Sequence, residues 1–214
     1  MPPIISVVGN SGSGKTTLIE KLIGELKSKG YRVATIKNAP QGATVDQPEK
    51  DSWRHIQSGS EATALKTPER MVLIRPVAAD ITLDEMAQFF GEDYDIILTE
   101  GFKQDSAPKI EVHRQQSGPL LSGVKKRMAI ATDESLETGA RQFALDDIKG
   151  LAELLVTGFI EPQRDQVSLY INNVPVTLGS FPNRIINNML TAMAASLKGV
   201  GEIRSLAVFM KKRG

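Results

Sequence analysis

The run Ile4-Ile5-Ser6-Val7-Val8 is almost wholly β-branched and apolar, the pattern of a parallel strand buried on both faces. From 17 to 29 the period changes: Leu18, Leu22 and Leu26 recur every fourth position, with Ile19 and Ile23 beside them. That spacing predicts a helix with one broad core-facing stripe, closed by Gly30 in a left-handed conformation. Residues 31–37 (Tyr-Arg-Val-Ala-Thr-Ile-Lys) predict a second strand, so strand, loop, helix and strand make a right-handed βαβ unit. Residues 38–52 have no period and predict a long surface loop, of a length more often functional than idle. Further strands are predicted at 62–66, 71–75, 95–99, 109–113 and 128–132. Helices are predicted at 82–90, burying Leu83, Met86 and Phe90, and at 146–156, burying Leu151, Leu154 and Leu155. Strands alternating with helices imply a three-layer α/β/α domain over 1–160 with a mostly parallel sheet.

From about 165 the pattern changes. Stretches 167–171 and 174–178 flank Asn172-Asn173, a two-residue hairpin signal because asparagine tolerates positive φ. A helical pattern follows at 182–198 and a final strand is predicted at 205–210. A small α+β module of ββαβ type is therefore expected over 165–214. It holds Arg184, Lys198, Arg204, Lys211, Lys212 and Arg213 against Asp165 and Glu202, a net of +4. With +1 on the whole chain, the preceding residues carry a net of −3.

Composition narrows the classes available. A chain of 214 residues that is 41% hydrophobic and 24% charged reads as a globular protein able to bury its own core. It has no cysteine, which excludes disulfides, thiolate metal sites and cysteine nucleophiles. No signal-peptide pattern is visible, and no stretch approaches the ~18 apolar residues of a membrane span. The net charge gives no reason to expect a nucleic-acid or membrane partner. The expectation is a soluble, cytoplasmic protein.

The chemistry concentrates in Gly9-Asn10-Ser11-Gly12-Ser13-Gly14-Lys15-Thr16, which matches G-x-x-x-x-G-K-[ST] and sits between a predicted strand and a predicted helix. Glycines let the backbone turn its N–H groups onto phosphate oxygens at the positive end of the helix, beginning with Thr17. Lys15 is placed to reach the β- and γ-phosphates, and the Thr16 hydroxyl to bind Mg²⁺. Asp95-Ile-Ile-Leu-Thr-Glu100-Gly101 puts the Glu100 carboxylate at the end of an apolar strand, where ligands sit in open α/β folds. There Glu100 could hold Mg²⁺ or orient an attacking water, while Gly101 lets the backbone approach the γ-phosphate. Asp46 and Asp51 lie in the long loop, as switch carboxylates or as solvated acids. His55 and His113, the only histidines, read as surface or packing residues, and Trp53 as packing or an interface anchor.

Several stretches together resemble the molybdopterin-guanine dinucleotide biosynthesis adaptor (MobB) family. They are Val8 through Leu18, Gly30-Tyr31-Arg32-Val33-Ala34-Thr35-Ile36-Lys37, Asp46 through Arg54 and Ser58-Gly59-Ser60, then Glu100-Gly101-Phe102-Lys103 and Pro108 through Arg114. The resemblance covers most of 4–133. It implies a P-loop NTPase fold, GTP as ligand with Mg²⁺, weak GTPase activity and a homodimer. It also implies a role assisting the guanylyltransferase that attaches GMP to molybdopterin, the organic part of the molybdenum cofactor. By the same resemblance Lys15, Thr16, Asp46 and Glu100 carry the GTP–Mg²⁺ site and Asp133 contacts guanine, although no Asn-Lys-x-Asp signature is present. Two positions depart from the family. Asn38-Ala39-Pro40-Gln41 stands where relatives often have histidines, and Glu49 replaces the usual glycine before Lys50-Asp51-Ser52, so that turn is expected to need another geometry. The C-terminal module exceeds the minimal family domain; its charge suits an anionic pterin phosphate or an acidic partner, or is a solvated face.

Two other classes use the same loop. A small-molecule kinase would need an arginine-bearing lid, for which Arg114 or Lys125-Lys126-Arg127 are the candidates. A nickel-inserting metallochaperone GTPase would need thiolate or clustered imidazole ligands, which this chain lacks. No arginine finger is evident, so slow turnover is expected.

Overall fold

The computed structural model describes residues 1–40, 42, 48–78, 80–163, 167–172, 174–176, 178–203 and 206–210. Its centre is a six-stranded sheet, every neighbouring pair of which is parallel. The strands are β1 (Ile4–Val8), β2 (Val33–Lys37), β5 (Ile96–Glu100), β6 (Lys109–His113), β7 (Arg127–Thr132) and β8 (Arg141–Ala144). Their spatial order is β2-β5-β1-β6-β7-β8, so β1 lies inside the sheet and the chain leaves it in opposite directions on its two sides. The expected three-layer fold is present. β8 is an edge strand that the sequence pattern did not reveal: only Phe143 of its four residues is buried.

Helices cover the two faces with side chains of opposite parity, as the period of two along a strand requires. Ile5, Val7, Ile96, Leu98, Ile110, Val112, Ala129 and Ala131 face α1 (Lys15–Ser28) and α4 (Ile148–Leu155). Ile4, Ala34 and Ile97 face α3 (Leu83–Gln88), which brings Leu83 and Ala87. α3 starts where a capping box fixes it, with Thr82 and Glu85 satisfying each other's backbone N–H. α1 ends at the expected place: Gly30 takes φ +89°, its N–H donates to the Lys27 carbonyl, and the Tyr31 N–H donates to the Leu26 carbonyl. That pair of bonds is a Schellman motif.

On β6 the alternation does not mean one wet face. Lys109, Glu111 and His113 all point away from α1, yet all are buried. The Lys109 ammonium donates to the carbonyls of Asp105 and Ala107, and burial holds its pKa below the usual lysine value. Glu111 accepts from the Leu121 N–H and lies 2.7 Å from Arg127 Nε. His113 Nε2 is 2.6 Å from Glu134 Oε1. Each of these three side chains has a hydrogen-bond or ion-pair partner, which is the condition for burying it.

β3 (Thr63–Lys66) and β4 (Met71–Ile74) form an antiparallel hairpin outside the main sheet. It is preceded by α2 (Asp51–Gln57), whose first residues fall within the span expected to be loop. Glu49 corrects a second expectation. It adopts φ +70°, the left-handed conformation a glycine would take, so the turn keeps its geometry and Glu49 bears the strain.

Past α4 the chain runs through a single π turn, Val156–Ile160, before the C-terminal elements. β9 (Leu169–Ile171) pairs antiparallel with β10 (Val174–Val176), and Asn172 between them has φ +52°, as expected; Asn173 lies outside the described residues. α5 (Ser180–Ala195) follows. The expected last strand is not formed: residues 206–210 have no regular secondary structure and no sheet partners, and 205 is outside the described residues. The hairpin docks on the main domain through the Met1 amino group, which reaches Ser168 Oγ (2.6 Å) and Glu92 (2.7 Å), and through the Tyr170 hydroxyl on Glu92 (3.2 Å). No helix among the described residues is long and apolar enough to cross a membrane.

Candidate functional site

The loop between β1 and α1 takes conformations that its glycines permit. Gly9, Gly12 and Gly14 have φ of +152°, +74° and +98°. At Gly9 a Cβ would lie 2.4 Å from the Val112 carbonyl oxygen, so any side chain would force the loop off the sheet. Gly14 is the N-cap of α1, and the first turn of that helix carries no acidic residue to compete with a bound anion. Gly12 has open space around it. The result is a concave row of backbone N–H groups at a helix N-terminus, the arrangement that binds phosphate.

Lys15 folds back across this concavity. Its Nζ donates to the carbonyls of Asn10 (2.8 Å) and Gly9 (3.3 Å). Burial lowers its pKa below the ordinary 10.5; Glu100 opposes that shift, and the Lys103 and Lys37 charges add to it. Thr16, next on the helix, donates its hydroxyl to Glu100 at 3.0 and 3.1 Å from the two carboxylate oxygens. The last residue of β5 is thus brought to the first turn of α1 because β1 and β5 are neighbours with Val7 opposite Glu100. Lys37, at the end of β2 and in register with Glu100, stands 3.7 Å from its Oε2. Thr16 and Glu100 offer hard oxygen donors converging on one point, which fits Mg²⁺, a cation that takes one or two protein oxygens and completes its shell with phosphate and water. Among the described residues no cluster of three or more acids or histidines could hold a metal without such outside ligands. Asp46 lies outside the described residues, and Asp51 is exposed at the start of α2.

The other flank of the loop is held by the segment after β6. Asn10 Nδ2 donates to the carbonyls of Ser117 and Pro119, both at 2.9 Å. Arg114 Nε donates to the Ser13 carbonyl at 3.1 Å, and its Nη1 is 3.7 Å from Asp133 Oδ2. Asp133 Oδ1 accepts from the Gln115 N–H at 2.9 Å. Asp133 therefore sits beside the loop, at the end of β7, with both carboxylate oxygens engaged by the 114–115 segment. Arg114 lies behind the loop as a brace. Nothing in its sequence context distinguished that role; the contact joins residues 101 positions apart. A shallow open concavity lies next to Asp133, lined by Thr132, Glu134, Ser135, Gln142, Phe143 and Ala144. His113 is a packing residue and His55 an exposed one, as expected.

The sequence profile of "Molybdopterin guanine dinucleotide synthesis protein B" matches residues 4–133. The chain is 38% identical over 155 residues to the molybdopterin-guanine dinucleotide biosynthesis adapter protein of Haemophilus influenzae, covering 72% of this chain and 87% of that one. It is 24% identical over 238 residues to the putative adapter protein of Methanocaldococcus jannaschii, covering 96% of each, so that relative extends across the C-terminal elements as well. Among solved structures, a crystal structure of molybdopterin-guanine biosynthesis protein B superimposes with a TM-score of 0.59 at 28% identity, over 73% of this chain and 99% of that one.

Proposed function

The chain belongs to the molybdopterin guanine dinucleotide synthesis protein B family, and from that membership we propose that it is a GTP-binding adaptor with weak GTPase activity. In this reading it assists the guanylyltransferase that joins GMP to molybdopterin. The observation that carries the nucleotide part is the Thr16–Glu100 contact beside an open phosphate loop. It supports a Mg²⁺-nucleotide site in which Thr16 and Glu100 supply protein oxygens. Bound there, Mg²⁺ would neutralise charge shared between the β- and γ-phosphates.

The residues divide the remaining work. Backbone N–H groups from Gly12 to Thr17 hold phosphate oxygens, while Lys15 exchanges its two loop carbonyls for phosphate. Glu100 also stands where it can orient a water toward the terminal phosphate. The two arginines that a lid would use are both committed, Arg114 to Ser13 and Asp133 and Arg127 to Glu111. That supports slow hydrolysis and a binding role rather than a kinase lid. Asp133 lies on the side away from Glu100, where the base of a nucleotide extends. Guanine recognition through it requires its Gln115 or Arg114 partner to give way.

A homodimer is supported by the β3–β4 hairpin, which stands off the main sheet and exposes apolar side chains on both faces, Leu65 and Val72 on one and Met71 and Leu73 on the other. Exposed apolar surface of this kind marks an interaction element. The C-terminal elements from 165 onward are read as a small separate module of basic charge.

Affinity capture tests the pathway assignment. The immobilised chain should retain purified cofactor guanylyltransferase, more strongly with GTP and Mg²⁺ than without. Reproducible absence of that complex would remove the adaptor reading and leave the phosphate-loop chemistry standing.

A further inference from the structure

The stretch Glu100-Gly101-Phe102-Lys103 does more than present one carboxylate. β5 ends at Glu100, and the next two residues both take left-handed conformations, Gly101 at φ +98° and Phe102 at +55°. For a bulky aromatic residue that conformation is uncommon and strained. It is held from three sides. The Gly101 N–H donates to the Val7 carbonyl, the Asn38 N–H donates to the Glu100 carbonyl, and the Phe102 ring packs into the apolar cluster of Ile4, Ala34 and Ile97. A Cβ on Gly101 would lie 3.3 Å from the Cβ of Asn38, a tight contact that adds to the strain its φ would impose on any other residue.

Two successive left-handed residues fold the chain back at the sheet edge instead of letting it run on. Lys103 consequently returns to within electrostatic reach of Lys15. Lys37 arrives from the adjacent strand, 3.7 Å from Glu100. Lys37 and Lys103 thus both act on Lys15 at one corner of the site, where Glu100 is the carboxylate facing Lys15 and Lys37. Among the described residues Lys37 has no acidic partner besides Glu100 and Lys103 forms no ion pair, and Lys37 is 67% exposed. The opposite flank, by contrast, is closed by neutral carbonyls and the Arg114–Asp133 pair. Thr16 and Glu100 would hold Mg²⁺ on the β5 side, where the cation would supply charge neutralisation to the terminal phosphates of a nucleoside triphosphate. The positive charge in excess over Glu100 therefore stands on the side of the terminal phosphate.

We propose that Lys37 and Lys103 form a cation pair that recognises the terminal phosphate, so that this site separates a nucleoside triphosphate from a diphosphate. The inference rests on the phosphate-loop reading above and names the residues that set its selectivity. Within Glu-Gly-Phe-Lys, the acid serves the metal, the glycine permits the turn, the aromatic ring anchors it and the lysine meets the phosphate.

The full chain, as Lys37→Ala, Lys103→Ala and Lys103→Arg, is titrated with GDP and with guanosine 5′-(β,γ-imido)triphosphate in excess Mg²⁺. Each alanine variant should weaken the triphosphate about tenfold, the loss of one charge-assisted contact, while leaving GDP within about twofold. Lys103→Arg should retain most of the preference. Equal weakening of both nucleotides, or unchanged triphosphate affinity, would overturn the assignment. If the unaltered chain bound neither nucleotide, the underlying phosphate-loop reading would fail instead.

Discussion

Thr16 Oγ1 lies 3.0 Å from Glu100 Oε1, joining the first turn of α1 to the end of β5 across 84 positions of sequence. The contact brings two hard oxygen donors to one point, so Thr16 and Glu100 would be the residues to hold Mg²⁺ there with little rearrangement.

Glu100→Gln keeps the shape and removes the charge. Nucleotide affinity measured with Mg²⁺ should fall by roughly 10- to 100-fold, as for other lost metal-site partners, while affinity in EDTA should scarcely change. Hydrolysis should fall with it. Full Mg²⁺ dependence in the variant would mean that the metal is held elsewhere.

Lys15 gives a pH dependence with a definite sign. Burial lowers its pKa below 10.5 in the free protein, and phosphate must favour the protonated form. As pH rises through the lowered value, binding must recover a proton, so GTP affinity should fall by up to about tenfold per pH unit. The decline should begin below 10.5, and calorimetry in buffers of different ionisation enthalpy should record proton uptake there. Affinity that stays flat to the ordinary lysine range would show that Lys15 is not the group engaged.

Arg114 and Asp133 brace the loop from behind. Arg114→Ala should weaken GTP and ATP together, by roughly the 1–3 kcal/mol of a lost charge-assisted bond, and so leave their ratio unchanged. Asp133→Asn separates the two roles open to that residue. A uniform loss indicates the brace, whereas a selective loss of GTP indicates a guanine contact.

Glu49 carries a conformation suited to glycine. Glu49→Gly relieves a cost of ~1–2 kcal/mol but loosens the unfolded chain by ~0.4–1 kcal/mol. Chemical denaturation should show a gain of up to about 1 kcal/mol. A loss would show that the Glu49 side chain makes a contact worth more than its strain.

Much of this was legible in the chain because it is local. The β1–loop–α1 unit, its Gly30 stop, and the strands at 96–100 and 109–113 follow from periods and caps that a short window contains. Glu100 could be found because an acid ending an apolar run must lie at the sheet edge. What sequence hid is what depends on distant partners. β8 buries only Phe143, so it leaves almost no period to read. Lys109, Glu111 and His113 look like a solvent face until the Asp105 and Ala107 carbonyls, the Leu121 N–H and Glu134 respectively meet them. Arg114 resembled a lid arginine because its carbonyl partner, Ser13, carries no side-chain signal. At Glu49 the fold kept a left-handed turn that the residue type argued against.

The central claim is a Mg²⁺-dependent, guanine-selective nucleotide site built on Lys15, Thr16 and Glu100. Equilibrium titration of the full chain with labelled GTP and ATP in Mg²⁺, alongside Lys15→Ala, tests it most directly. GTP should bind at least about tenfold more tightly than ATP, a difference of ~1.4 kcal/mol, and Lys15→Ala should abolish both. A preference for ATP, or binding that survives in Lys15→Ala, would contradict it.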